Sequence, residues 1–340
     1  MSVTIERDGI RVERADEDVL DRWNDLVERS PQGDLFHRLD ALKVQAEYTG
    51  ADYHPLVGFK GQEPVGIFPA FTISKGGVST AFSPPPNLWI PHLGPALLNM
   101  DKLKRRKAER RHRRFVDNCL DWLDRECGPK YVHVRTGGRY EDVRPFEWNE
   151  FEIQPRHTYE VDLTVGEDDL LASFSSDARS NIRTDDDRYE VRVGGDDAVR
   201  RIVRQVEARH EEQGEPYTLD PEFVVALRDR LPDGTVRPYV CEVDGEFVGG
   251  MVALADDDRV YRWQGGAKHD ADVPVNDLVD WAIMTDAMDE GIGRYDLVGA
   301  NERRLCGYKA KFAPELVRYY SVERGTRMMN LLSDVYKRFR

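Results

Sequence analysis

Lysine is scarce in this chain. It has 11 lysines against 38 arginines, although Asp and Glu together number 63. Cysteine is scarce too. The four residues Cys119, Cys127, Cys241 and Cys306 form no C-x-x-C pair, and no His-Cys cluster has zinc spacing. Neither a disulfide framework nor a metal site is indicated, and buried free thiols are expected. No apolar run approaches the ~18 residues that span a bilayer. The start, Met1 to Asp8, has no basic stretch leading into an apolar one, so no secretory signal is indicated and a cytoplasmic location is expected.

What is present begins with charge. The net charge is -14, with 37 Asp and 26 Glu. An Asp-rich, Lys-poor composition resembles that of salt-loving (haloarchaeal) proteins, so a halophilic protein is expected. High salt screens surface charge within a few ångströms, and the acidic balance argues against broad, non-specific nucleic-acid binding. One segment opposes the trend: Lys102 to Arg114 holds nine Lys or Arg in thirteen positions. It reads either as a contact for a phosphate-rich partner (tRNA, a nucleotide-linked precursor or an anionic membrane face) or as a helix paired with the acidic remainder. No aromatic residue interleaves the run to stack on bases.

A short pattern occurs twice, 183 residues apart. His54–Ala70 aligns without a gap on Arg237–Ala253, with Pro55/Pro238, Val57/Val240, Glu63/Glu246, Val65/Val248, Gly66/Gly249 and Ala70/Ala253 identical. Each copy reads as strand, polar turn, strand, with Gly61-Gln62 and Asp244-Gly245 in the turns. Two copies at this distance imply two related domains in tandem, and 340 residues allow each its own core. The boundary is expected near residue 156, giving domains 1–156 and 157–340.

Hydrophobic spacing predicts helices over Asp16–Arg29, Leu39–Tyr48 and Lys102–Cys127, and a buried strand over Tyr131–Val134. The Ser83–Pro86 run must be loop, since proline lacks the ladder donor. In the second half the spacing predicts a strand at Tyr159–Leu163 and a helix from Asp168 to about Asp186. Further helices are expected over Ala198–Glu212, Pro221–Leu231, Asn276–Glu290 and Arg303–Phe312. Strands are expected at Tyr189–Val193, Val260–Gln264, Tyr295–Val298 and Leu316–Val322, and a terminal helix over Met328–Phe339. The fold class is α/β, each half a mixed, mostly antiparallel sheet flanked by helices.

Helix pair, hairpin turning at the Gly245-Glu246-x-Val248-Gly249 step, strand, helix and strand together resemble the GNAT acyltransferase fold. The tandem arrangement, with Asp177–Arg183 early in the second half and the closing run Tyr295–Phe312, resembles the FemAB/FemX-type transferases. That family often ends its second half with an aromatic-Lys-x-x-Phe step, matched here by Tyr308-Lys309-x-x-Phe312. The resemblance implies an acyltransferase. Its donor would be an acyl-CoA such as acetyl-CoA, or an aminoacyl-tRNA. Its acceptor would be an amine on a small molecule or an envelope-glycan precursor. Best-known members move amino acids from aminoacyl-tRNA onto a peptidoglycan precursor. A GNAT fold that has lost its cofactor loop and only binds a ligand is the alternative.

Acyl transfer to an amine needs an activated carbonyl and stabilisation of an oxyanion, and no G-x-S-x-G elbow is required for it. By resemblance, Lys309 lies near the reaction centre and would polarise the carbonyl; otherwise it is a solvated helix lysine. Asp296 reads as a base or an orienting carboxylate, or as structural. Arg179 and Arg183, at i and i+4, read as a joint anion site or as a surface pair matched to Asp185–Asp187. Gln264, Gly265 and Gly266 fit the glycine pattern that cradles CoA pyrophosphate. Lys268–Pro274 intervene before the next helix, however, so a strand end widened by glycine is the other reading. In the first half, Ser83 and His92 fall where the repeat places that domain's cleft, as candidate substrate contacts, and His37 is a further candidate. The repeat assigns the reaction centre to the second half and substrate holding to the first.

Overall fold

The computed structural model describes residues 3–326 except 185, 187, 269 and 270; the helix expected over Met328–Phe339 lies outside the described residues. The chain divides into two units, one comprising residues up to Pro155 together with those from Tyr319 onward, the other Arg156–Arg318. The division falls beside the expected boundary. The difference is the closing segment, expected with the second half: its residues Ser321–Gly325 pair antiparallel with Arg135–Tyr131 of the first unit.

The chain opens with strands β1 (Thr4–Arg7) and β2 (Ile10–Arg14), short helices α1 (Glu17–Leu20) and α2 (Trp23–Glu28), and α3 (Leu39–Thr49). Asp16 caps α1, its carboxylate accepting from Val19 N. The helix expected over Asp16–Arg29 is thus two pieces, with Trp23, Leu26 and Val27 buried as the spacing requires. Strands β3 (Asp52–Lys60), β4 (Glu63–Lys75), β5 (Val78–Ser83) and β6 (Ala96–Leu97), helix α4 (Arg105–Glu126), β7 (Tyr131–Arg135) and the turn α5 (Arg144–Glu147) follow. In the first unit the sheet runs β1-β2-β3-β4-β5-β7, antiparallel except for β5 with β7. Gly58 faces Gly66 across the β3–β4 hairpin. A Cβ on either would lie 2.4 to 2.6 Å from the Phe115 ring of α4, so this glycine pair makes room for the helix.

Strand β8 (Glu152–Asp162) leads into α6 (Glu167–Ser173), α7 (Ser176–Ile182), β9 (Tyr189–Val193), α8 (Asp196–Gln213) and α9 (Pro221–Arg230). Then come β10 (Val236–Val243), β11 (Glu246–Ala255), β12 (Val260–Ala267), α10 (Val275–Asp289), β13 (Arg294–Asp296), α11 (Arg303–Lys309) and β14 (Glu315–Gly325). The long helix expected from Asp168 is broken. Ser175 leaves the helix and caps α7 through its hydroxyl, which accepts from Ala178 N. Leu170, Leu171, Phe174, Ala178 and Ile182 nonetheless all enter the second unit's core. That unit's sheet runs β9-β10-β11-β12-β13, with β8 residues Glu160–Asp162 on β13.

The repeat is exact in register. Both hairpins carry a register shift at corresponding points, Gly58/Phe59 and Cys241/Glu242. Each is followed by a third strand, a helix (α4 or α10) and a parallel strand, β5 with β7 and β12 with β13.

Candidate active site

In the second unit, β12 and β13 pair at only two positions, Val260 with Tyr295 and Tyr261 with Asp296. β12 runs on to Ala267 while β13 stops, so Arg262–Ala267 keeps one edge without a β13 partner. Its other edge stays on β11. The first unit closes the corresponding place. There β5 stays paired with β7 to its last residue, Ser83, and Leu93 bridges to Thr136 just beyond.

Gln264, Gly265 and Gly266 lie inside β12, opposite Val252, Met251 and Gly250, and not in a loop leading to α10. Gln264 accepts a hydrogen bond from the Tyr217 hydroxyl (3.0 Å). A Cβ on Gly265 would lie 2.2 Å from the Gly250 carbonyl oxygen; one on Gly266 would lie 2.7 Å from Nη1 of Arg209. The glycines therefore serve close approach: one by strand β11, the other by an arginine from α8 that lies over the strand edge. Arg209 has no carboxylate partner among the described residues. Burial, then the Arg262 and Arg304 guanidiniums, pull its pKa down. Arg304 donates to Gln213 Oε1 at 3.4 Å. Arg209 and Arg304, mutually repelling and without carboxylates among the described residues, in a chain of net charge -14, form a place suited to an anion. The sequence reading did not single out Arg209 or Arg304.

Lys309 is buried at the end of α11. Its Nζ donates to the carbonyl oxygens of Val298 (2.8 Å) and Gly299 (2.7 Å). Burial, then the Arg262 guanidinium, lower its pKa from 10.5 to about 8. The turn it holds is left-handed at Val298 (φ +48°) and Gly299 (φ +87°), an uncommon conformation for a β-branched residue. Asp296 fixes the same turn from the other side. It accepts from Val298 N (2.7 Å) and the Thr158 hydroxyl (2.5 Å), and that hydroxyl accepts from Gly299 N (2.9 Å). Arg259 stands 3.7 Å from the second Asp296 oxygen. Asp296 is thus an orienting carboxylate spent on the turn.

Beneath lies a buried polar group that sequence reasoning missed. Asp280 of α10 accepts from Arg262 Nε (2.7 Å), Tyr295 OH (2.6 Å) and Tyr308 OH (2.5 Å). Burial alone would lower the Arg262 pKa, but the carboxylate holds it above its ordinary value. One turn earlier, Asp277 binds both Lys311 and Asn181. Two carboxylates at i and i+3 among the apolar residues of a helix were the available signal.

Arg179 and Arg183 do not form a joint anion site. The α6–α7 break leaves carbonyls without helical donors, and Arg179 Nη1 supplies Ala172 O (2.9 Å) and Phe174 O (3.1 Å). Arg183 is the exposed C-cap of α7. From the Asp177–Arg183 run it is Asn181 that reaches the site.

In the first unit, His92 and Ser83 are buried. His92 Nε2 lies 2.6 Å from Asp34 Oδ2, and His37 Nδ1 2.9 Å from Asp34 Oδ1. Ser83 donates to Pro69 O (2.6 Å) and accepts from Gly94 N (3.0 Å). Burial would raise the Asp34 pKa, but the two imidazoles hold it well below the ordinary carboxylate range. These residues knit loops together. All four cysteines are free thiols, with Cys119 and Cys241 buried. A groove of about 590 Å³ lies in the second unit near the start of β10, at the opposite end of the β10–β12 ribbon from Gly266. Within it Arg237 pairs with Glu290 and the Tyr239 hydroxyl donates to Asp286.

Residues 172–310 match the family model described as acetyltransferase (GNAT) domain. Among solved structures the chain is similar to FemX (12% identity, TM-score 0.68, 88% of this chain and 95% of that one). It is also similar to L-PGS from Bacillus licheniformis (12%, 0.56, 98% and 99%). A third is a tandem GNAT protein from the clavulanic acid biosynthesis pathway (12%, 0.50, 95% and 98%). A comparison with curated protein sequences gives no match. Residues 172–310 are thus similar to a GNAT acetyltransferase domain, in a chain whose fold is similar to those of FemX and a tandem GNAT protein.

Proposed function

We propose that the chain is an N-acyl or aminoacyl transferase. It would move an acyl group from an acyl-CoA such as acetyl-CoA, or from an aminoacyl-tRNA, to an amine on a small molecule or an envelope-glycan precursor. The observation that carries the reading is the opening beside β12, with Arg209 over its glycine edge and Lys309 at its β13 end.

The residues present fit a donor that carries phosphates. Arg209 and Arg304 are the guanidiniums without carboxylates there, and they, in place of Arg179 and Arg183, would hold the anion. The donor's thioester or ester supplies the activated carbonyl. An extended donor arm would add to the unpartnered β12 edge through main-chain hydrogen bonds. An ammonium has three hydrogens. Two of those on Lys309 are spent on Val298 and Gly299, and the third would stabilise the oxyanion as the C–N bond forms and the C–S or C–O bond breaks.

The names of the structural neighbours, FemX and a tandem GNAT protein, support the same class. The test is a thermal-shift screen in high salt with acetyl-CoA, longer acyl-CoAs and charged tRNA, followed by a transfer assay. Stabilisation by one donor, with transfer lost in Lys309→Ala, is the expected result; stabilisation by none overturns the reading. A ligand-binding module without catalysis is the second reading. It is favoured by the placement of Gln264–Gly266 within a strand and by Pro274 at the N-cap of α10 without a side-chain cap. Donor binding without transfer to any amine would select it.

A further inference from the structure

The acyl-transfer reading leaves unused a surface on α4 and α5 of the first unit. The first turn of α4 contains Arg105, Arg106 and Lys107 and no carboxylate, and Lys104 at the N-cap makes no side-chain cap. Cations at a helix N-terminus oppose the macrodipole and cost stability. The chain has 63 Asp and Glu with which to pair its bases. Elsewhere in the run it does so: Arg105 with Glu109, Arg111 with Glu63, Arg113 with Asp117 and Arg114 with Asp8. Lys104, Arg106, Lys107 and Arg110 are exposed and make no ion pair among the described residues.

The structure adds an aromatic residue that the sequence run itself lacks. Turn α5 lies along α4, with Arg144 reaching Glu109 (3.1 Å) and Asn149 reaching Asp117 (2.7 Å). Trp148, between them in sequence, is 57% exposed. The Arg144 guanidinium lies 5.6 Å from its ring centroid. A large apolar ring therefore stands in solvent on the turn that packs along the helix carrying these unpaired cations.

We propose that this face docks the protein on an anionic lipid bilayer. Lys104, Arg106, Lys107 and Arg110 would meet headgroup phosphates, and Trp148 would seat its ring at the interface. Charge complementarity selects a polyanion, and the aromatic selects which one. Single-stranded nucleic acid is held on successive rings that stack successive bases. Here there is one ring, one face of which is occupied by Arg144. No helix among the described residues is long and apolar enough to cross a membrane, so the attachment is peripheral and weakens as salt screens it. The inference does not rest on the acyl-transfer reading, and its test needs no activity.

The full chain is sedimented with phosphatidylcholine vesicles and with mixed phosphatidylcholine–phosphatidylglycerol vesicles over a salt series. Binding only to the mixed vesicles, declining with salt, is expected. The combined variant Lys104→Glu, Arg106→Glu, Lys107→Glu and Arg110→Glu should bind at least about tenfold more weakly. Its melting temperature should hold or rise, because the new carboxylates suit the helix N-terminus. Trp148→Ser, at an exposed position, should weaken binding several-fold and serves as the second variant should the first fail to fold. Failure to bind mixed vesicles at low salt overturns the proposal, as does binding indifferent to both variants. Binding of uncharged tRNA that is lost in the combined variant, without vesicle binding, overturns it in favour of an RNA surface.

Discussion

The ammonium of Lys309 lies 2.8 Å from the carbonyl oxygen of Val298, a residue in left-handed backbone conformation (φ +48°). The lysine at the proposed reaction centre is therefore also the clamp of a turn whose amide groups are held by Asp296 and Thr158. Chemistry and local structure draw on the same side chain, and the two contributions separate with pH.

Lys309 should impose a basic limb on acyl transfer. Its pKa is lowered from 10.5 to about 8, so above pH 8 the third hydrogen is lost and the position becomes a lone pair. The transfer rate should fall through that range. Lys309→Arg, always charged, should remove the limb, and Lys309→Met should slow transfer about 10²-fold at every pH. Stability should move the other way. Between pH 8 and 10.5 the unfolded lysine binds a proton that the folded one does not, so stability rises with pH. Burial raises the pKa of the Cys119, Cys127 and Cys241 thiols, whose contribution falls with pH in both proteins, so it is the stability of the parent relative to Lys309→Met, measured by urea unfolding, that should rise across this window.

Asp280 should be costlier to remove than either of its tyrosine donors. Asp280→Asn leaves the buried Arg262 without its charge partner, and a broken buried pair costs about 3–5 kcal/mol. Tyr308→Phe removes one hydrogen bond and should cost about 1–2 kcal/mol. Denaturant midpoints of the two variants give the comparison. Equal losses would mean that Arg262 finds another partner.

How much of this was legible follows from where each signal lies along the chain. The repeat was legible because a hairpin is local: turn, alternation and even the register shifts at Gly58 and Cys241 sit within one short segment. A mixed, mostly antiparallel sheet followed from the element order; which pairs run parallel, β5 with β7 and β12 with β13, comes from the structure. The sequence singles out Lys309 and Asp296 as candidates, but that Asp296 is spent on a turn depends on Thr158, 138 positions earlier. Arg179 and Arg183 do stand one turn apart on α7, but the carbonyls of Ala172 and Phe174 that the break at Ser175 leaves for Arg179 are not visible in that spacing. The Asp34–His37–His92 group was invisible as a group, since His92 comes from a loop 58 positions beyond Asp34.

Asp34 should matter to the first unit's tolerance of acid. Its folded pKa is depressed, so its contribution is complete above the ordinary carboxylate pKa and is lost as pH falls below it. Asp34→Asn should destabilise the first unit by about 3 kcal/mol at neutral pH and flatten its acid limb. Hydrogen exchange of the first unit's amides, followed down in pH, distinguishes this from a global change: the second unit's amides should be unaffected.

The two neighbouring glycines of β12 should respond differently to one methyl group. At Gly265 the new Cβ would meet the Gly250 carbonyl oxygen at 2.2 Å, a backbone atom that moves only if β11 and β12 part. Gly265→Ala should therefore lower the melting temperature whatever it does to binding. At Gly266 the nearest atom, at 2.7 Å, is the far end of the Arg209 side chain, which swings away at small cost. Both positions have φ +156° and share that backbone strain, so Gly266→Ala, without the clash against backbone, should lower the melting temperature less than Gly265→Ala yet bind a phosphate-bearing donor more weakly. The reason is that Arg209 lies over the opening only while residue 266 has no side chain. Arg209→Gln should reproduce the loss, about tenfold, and reduce the salt dependence of donor binding. Arg304→Gln should do the same more mildly, and the double variant should show whether the two guanidiniums act on one anion. Binding measured by titration calorimetry, beside melting curves for the parent and all five variants, separates the roles. Equal donor affinity in the parent and Arg209→Gln would remove Arg209 from the site.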